Sequence, residues 1–224
     1  MSQAHDISKL RQMLKERFPS AHARQPDEEL AATQVECLDD IGLPKGAITE
    51  VVASESQGGH LLVSMLLEKT EETGQALALV DGKDSFDPQT AMPNGCERLL
   101  WVRCQTAMEA VKASDILLRD GNLRFVILDL CLNEAKELRR LNSAVWFRLQ
   151  TLAQQTSSVF MVLTPHALVG SARLRLQLDS SFQLRDLDHR PDRLMNKIRI
   201  KVTRQRNGRL QVGVEAADED RLAG

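Results

Sequence analysis

Tyrosine is absent from the chain, and aromatic residues make up only 4% of it. A large stacking surface for single-stranded nucleic acid is therefore not expected. No apolar run approaches the roughly 18–20 residues that cross a bilayer. The first residues, Met1-Ser-Gln-Ala-His-Asp6, lack a basic-then-apolar export signal. We therefore expect a cytoplasmic protein with no membrane partner. The four cysteines, Cys37, Cys96, Cys104 and Cys131, form no C-x-x-C pair, which removes zinc-ribbon spacing. They read as reduced, mostly buried small hydrophobes. His22, His166 and His189 lie far apart without Cys or His companions, so no metal site is expected. A formal charge of −2 gives no global attraction to nucleic acid or anionic lipid.

What is present is an ordinary globular composition, 42% hydrophobic and 27% charged over 224 residues. That length suits one sizeable α/β domain with tails. Ile7, Leu10, Met13, Leu14 and Phe18 recur at helical spacing over residues 6–18, and Pro19 stops that helix. Residues 1–34 read as this helix and a linker, residues 35–215 as the core, and residues 216–224 as an acidic tail. Within the core, strands are expected at 47–53, 75–80, 98–103, 123–129 and 158–163. Helices are expected at 59–73, 106–119 and 133–154. Continuous apolar strands alternating with amphipathic helices predict a mostly parallel sheet covered on both faces. After Pro165 the pattern changes to alternation, in Leu174-Arg-Leu-Gln-Leu178 and Ile198-Arg-Ile-Lys-Val-Thr203. Arg206-Asn-Gly208 then stands between two alternating runs as a hairpin signal, so antiparallel strands should extend the sheet.

The stretch from Glu50 to Leu62 reads as strand, small-residue turn and helix start. A phosphate loop needs Gly, four residues, then Gly-Lys-Ser/Thr. Here Ala53-Ser54-Glu55-Ser56-Gln57-Gly58-Gly59-His60 puts Ala53 at the first glycine, Gly58 at the second, Gly59 at the lysine and His60 at the hydroxyl. The frame is kept and its ammonium and hydroxyl are missing. Imidazole does not replace a hard oxygen ligand for magnesium. Backbone amides at the helix start could still hold an anion weakly. Asp129 closes the apolar strand that precedes Leu130.

These residues resemble the core domain of the RecA family. The resemblance runs through Cys37 to Val52, the loop from Ala53 to His60, Leu79-Val-Asp-Gly-Lys-Asp-Ser-Phe-Asp-Pro88, Val126-Ile-Leu-Asp129, Ser171 to Leu178 and Ile200 to Gly208. It implies a RecA-like P-loop NTPase fold. Asp129 then stands at the Walker B position, and Lys83 at the position of the family's water-activating glutamate. With lysine, hydroxyl and glutamate all replaced, the resemblance implies an inactive enzyme with no cofactor, leaving weak ATP binding open. The segments after the fourth and fifth strands, which bind DNA in RecA recombinases, are short here.

Within that superfamily the chain looks most similar to ImuA and SulA-like proteins. The features are the N-terminal helix ending in Arg17-Phe-Pro19, Gly42-Leu-Pro-Lys-Gly-Ala-Ile-Thr-Glu50, Leu99-Leu-Trp-Val-Arg103 and Ala107-Met-Glu-Ala110. This implies an accessory factor of DNA-damage-induced mutagenesis and translesion synthesis, with the polymerase module and RecA as partners. A SulA-like inhibitor of cell division and a divergent nucleotide-dependent RecA paralogue are the alternatives. Cations gather late in the chain, among them Arg173, Arg175, Arg199, Lys201, Arg204 and Arg206. They are either a solvated sheet edge or a face for DNA or an acidic partner, with DNA binding weak at most. Trp101 is expected in the core, and one of Trp146 and Phe147 on the surface.

Overall fold

The computed structural model describes residues 12, 13, 17, 29–54, 57–91, 96–180, 182, 194 and 197–206. The expected N-terminal helix, the second strand of the late hairpin and the acidic tail lie outside these residues, apart from Gln12, Met13 and Arg17, which are helical.

From residue 29 onward the first elements are β1 (Leu30–Ala31), α1 (Glu36–Asp39) and β2 (Leu43–Pro44). The central elements follow as β3 (Ala47–Val52), α2 (Gly59–Thr73), β4 (Leu77–Asp81), α3 (Pro88–Ala91), β5 (Leu99–Arg103), α4 (Ala107–Asp120) and β6 (Phe125–Asp129). Last come α5 (Ala135–Leu138), α6 (Ser143–Thr156), β7 (Val159–Thr164), β8 (Leu174–Leu178) and β9 (Ile200–Gln205). Seven strands form one sheet in the order β5-β4-β6-β7-β3-β8-β9. All neighbours are parallel except β8 and β9. β8 thus belongs to the parallel set through β3, and the change of direction comes with β9.

The central strands β3, β4, β6 and β7 are buried on both faces, which is why they read as unbroken apolar runs. On one face Val51, Leu79, Ile127 and Leu163 meet Leu62, Val63 and Leu66 of α2. On the other, Ile48, Val80, Leu128 and Val162 meet Ala110, Val111 and Leu118 of α4 and Trp146 and Leu149 of α6. Trp146 is buried and Phe147 exposed. Trp101 is half-buried on an outer strand, its ring edge-on to Phe86.

The structure also departs from the expected elements within 133–154 and upstream of residue 35. The single helix expected over 133–154 is broken at 139–142, because Asn142 leaves the helical conformation and accepts from the Val145 amide as the cap of α6. Packed structure also starts upstream of residue 35. Ala31 pairs with Leu43 and is buried, and Thr33 is locked by the Asp39 carboxylate. Among the described residues no helix is long and apolar enough to cross a membrane.

Candidate functional site

The C-terminal ends of β3, β4, β6 and β7 bring the candidate residues together. Beyond β3, the Ala53 amide donates to the Thr164 carbonyl at 2.9 Å, continuing the ladder with β7. The turn then closes on itself: the Ser54 amide donates to Gln57 Oε1 at 2.8 Å, and the Gln57 amide to the Ser54 carbonyl at 3.1 Å. Glu55 and Ser56 lie outside the described residues. Gly58 sits at φ 89°, ψ 22° and starts α2 without any side-chain cap. That left-handed conformation favours glycine, and a β-carbon there would lie 2.9 Å from Phe182 Cε2. At Gly59 a β-carbon would meet Leu163 Cδ2 at 3.4 Å, Ala53 Cβ at 3.5 Å and Cys131 Sγ at 4.0 Å, all ordinary contacts. The first carbon of a side chain fits at the lysine position, so the loop lacks an ammonium and not the room to begin one.

His60, one position further, turns towards the sheet. Its Nε2 lies 3.6 Å from Asp129 Oδ2, so the side chain at the hydroxyl position meets the aspartate at the end of β6. The other oxygen, Asp129 Oδ1, accepts from the Cys131 amide at 2.9 Å. Burial pushes the Asp129 carboxyl above its ordinary range, Asp81 adding to this while His60 and the Cys131 amide oppose it. Asp81 is its cross-strand neighbour and is itself buried. The Asp81 carboxylate is saturated by the amides of Lys83, Ser85 and Phe86 and the Ser85 hydroxyl.

The raised Asp129 pKa has a consequence for stability. A carboxyl whose folded pKa exceeds its unfolded value of about 3.9 binds more protons folded than unfolded between the two. Stability from this group is therefore full at low pH and is lost as pH rises through the folded pKa. Asp129→Asn keeps an acceptor for Cys131 and should raise the denaturation midpoint at pH 7. The gain should shrink towards pH 4. A variant less stable than the parent at pH 7 would mean that attraction to His60 outweighs burial.

Lys83 is drawn into a different network. Its Nζ lies 3.8 Å from Glu137 Oε1 on α5. Glu137 Oε2 accepts from Asn133 Nδ2 at 2.9 Å and from the Ala107 amide at the start of α4 at 3.1 Å. These donors, with Lys83 and Arg140 contributing less, hold the Glu137 carboxyl below its usual range. Asn133 Nδ2 also donates to the Gly82 carbonyl at 2.8 Å. The loop after β4 is thereby tied to the starts of α4 and α5 by a lysine–glutamate pair.

The late cations divide into two sorts. Arg175, counted from sequence with the surface group, pairs through Nε with Glu50, whose side chain is fully buried. Glu50 Oε1 also accepts from the amides of Leu168 at 2.6 Å and Val169 at 2.8 Å, and from Thr164 Oγ1 at 3.2 Å. Arg175 is therefore paired within the fold, and Glu50 pins residues 168–169 to β3. Sequence reasoning missed Glu50, although a carboxylate inside Ala47-Ile-Thr-Glu-Val-Val52 was the available signal. Arg199, Lys201 and Arg206 are exposed, and Arg173 and Arg204 half-buried. Among the described residues no group of three or more His, Cys, Asp or Glu is placed to hold a metal ion.

No protein-family model matches the chain. Sequence similarity is found instead to RecA proteins. The chain is 32% identical to the RecA of Methylococcus capsulatus over 90 residues, which cover 39% of this chain and 26% of that protein. It is 32% identical to the RecA of Cereibacter sphaeroides over 115 residues, 48% of this chain and 34% of that protein. Over 90 residues it is 30% identical to the RecA of Rickettsia prowazekii. The fold is RecA-like. The matched regions span about a quarter to a third of these relatives. Partial similarity of this kind supports a place in the RecA-like superfamily. In this RecA-like frame, His60 and Asp129 meet at the ends of α2 and β6, and Lys83 is paired away from them with Glu137.

Proposed function

We propose that this RecA-like chain is an accessory protein without ATPase chemistry, acting in DNA repair. Its finer role, read from the ImuA resemblance, is support of DNA-damage-induced mutagenesis and translesion synthesis through contacts with the polymerase module or RecA. One observation carries the inactive reading. The residues at the lysine, hydroxyl and carboxylate positions are Gly59, His60 and Lys83, and the last two are engaged with Asp129 and Glu137. In a working P-loop the lysine neutralises phosphate charge and the hydroxyl ligates magnesium. The similarity to RecA proteins supports the DNA repair setting.

The purified full chain is expected to give no steady ATP turnover and to co-purify with a Y-family polymerase or RecA from DNA-damaged cells. Steady turnover in the parent protein would overturn the inactive reading. Filamentous growth on overexpression, with direct capture of the division protein, would move the role to a division inhibitor. Gly59→Lys with His60→Thr restores two groups but leaves Lys83 at the base position, so the double variant should still not turn over ATP. Restored hydrolysis would show that only the loop had been lost.

A further inference from the structure

The pairing of β8 with β9 contains an irregularity that concentrates like charge. Gln177 is opposite Lys201 and Leu176 opposite Val202, but Arg175 is opposite Arg204, so Thr203 has no partner. Thr203 Oγ1 instead donates to the Arg175 carbonyl at 3.3 Å. Without this bulge Arg204 would stand opposite Leu174, on the apolar face. Bulges re-aim side chains in this way. The Arg206 amide then donates to the Arg173 carbonyl at 2.8 Å, which continues the pairing by one more step. Arg173, Arg175, Arg204 and Arg206 thus form a two-by-two block on the face that also carries Lys201. Like charges directly opposite one another destabilise a strand pair. Glu50 offsets Arg175, but among the described residues no carboxylate pairs with Arg204 or Arg206. Glu50 is consumed by Arg175 and two amides. Asp179 stands at the far end, its amide bonded to the Arg199 carbonyl. Arg204 and Arg206 have no carboxylate within ion-pairing distance among the described residues. Burial and repulsion from Arg206 and Arg175 lower the pKa of Arg204, with only Glu50 opposing.

We infer that the β8–β9 face, centred on Arg204 and Arg206, is a docking surface for an acidic segment of a partner protein. The block measures about 5 Å across the strands and roughly 7 Å along them, enough for one or two carboxylate side chains but not for a track of phosphates. Guanidinium forks bind carboxylates in a bidentate way, and among the described residues the face carries no aromatic ring on which a base could stack. Relief of the repulsion around Arg204 would be realised only in the complex.

The test is fluorescence anisotropy at low salt, using the full chain with a labelled octaglutamate peptide, a labelled fifteen-residue oligothymidylate and a fluorescent ATP analogue. The parent protein should bind the peptide more tightly than either other probe, with affinity falling as salt rises. Arg204→Ala with Arg206→Ala should weaken the peptide at least tenfold without lowering the melting midpoint. Lys136→Ala with Arg139→Ala, which removes the same charge elsewhere, should change it less than twofold. The proposal is overturned if the parent does not bind the peptide, if both double variants weaken it equally, or if oligothymidylate or nucleotide binds more tightly. It stands apart from the ATPase reading, since peptide capture at Arg204 does not depend on whether Gly59 and His60 turn over nucleotide.

Discussion

Glu50→Ala should cost about 3–5 kcal/mol, the range for removing one partner of a buried ion pair. Its side chain is fully buried, and Arg175 keeps only 19% exposure. Deletion of the carboxylate leaves that guanidinium in place with its Val169 carbonyl as the remaining partner. It also strips the acceptor from the Leu168 and Val169 amides and the Thr164 hydroxyl, each a buried donor with its own desolvation penalty. Glu50→Gln retains a neutral acceptor and should lose less. Adding Arg175→Ala to Glu50→Ala should recover part of the loss, because no uncompensated charge then remains. Chemical denaturation of the parent, Glu50→Ala, Arg175→Ala and the double variant gives the cycle. Hydrogen exchange at Leu168 and Val169 should rise in Glu50→Ala before exchange in β6 does. Equal stability of Glu50→Ala and the parent would mean that these bonds contribute nothing net.

The same pair illustrates what the sequence could and could not disclose. Element order was legible because period and punctuation are local. Gly58 and Gly74 bracket α2, and Thr106 and Gly121 bracket α4. Central strands were legible because burial on both faces leaves no polar alternation. The break before Asn142 was missed because the apolar stripe Leu138, Leu141 and Val145 continues through it, while the cap depends on one side-chain bond. For the site, Gly59, His60, Lys83 and Asp129 could be named from the loop pattern and the resemblance. Their partners could not be, since His60–Asp129 and Lys83–Glu137 join residues 69 and 54 positions apart. The role of Arg175 needed the pairing of β3 with β8, and the placement of Arg204 needed a bulge that no alternation pattern encodes.

Gly82→Ala should destabilise the protein by about 3 kcal/mol, the upper part of the range for overpacking. The reason is crowding and not backbone conformation. A β-carbon at Gly82 would run into Asn133 Oδ1 first, then meet the Asp129 carbonyl oxygen at 2.7 Å and Leu130 Cδ2 at 3.0 Å. A side-chain oxygen can swing aside, but the carbonyl is main chain, and the Gly82 amide donates to it at 2.9 Å. Relief therefore requires the end of β4 to separate from the end of β6, where Asp81 and Asp129 stand in register. Asn133→Ala in the Gly82→Ala background removes the first clash and leaves the second, so it should restore only a fraction of the loss. On its own, Asn133→Ala should also destabilise, because the Gly82 carbonyl and Glu137 lose a donor. Thermal denaturation of the two single variants and the double variant separates these contributions. Full recovery in the double variant would place the whole penalty on Asn133 and show that the junction of β4 and β6 tolerates a β-carbon. Partial recovery would show that the close approach of the two strand ends itself requires glycine between Asp81 and Lys83.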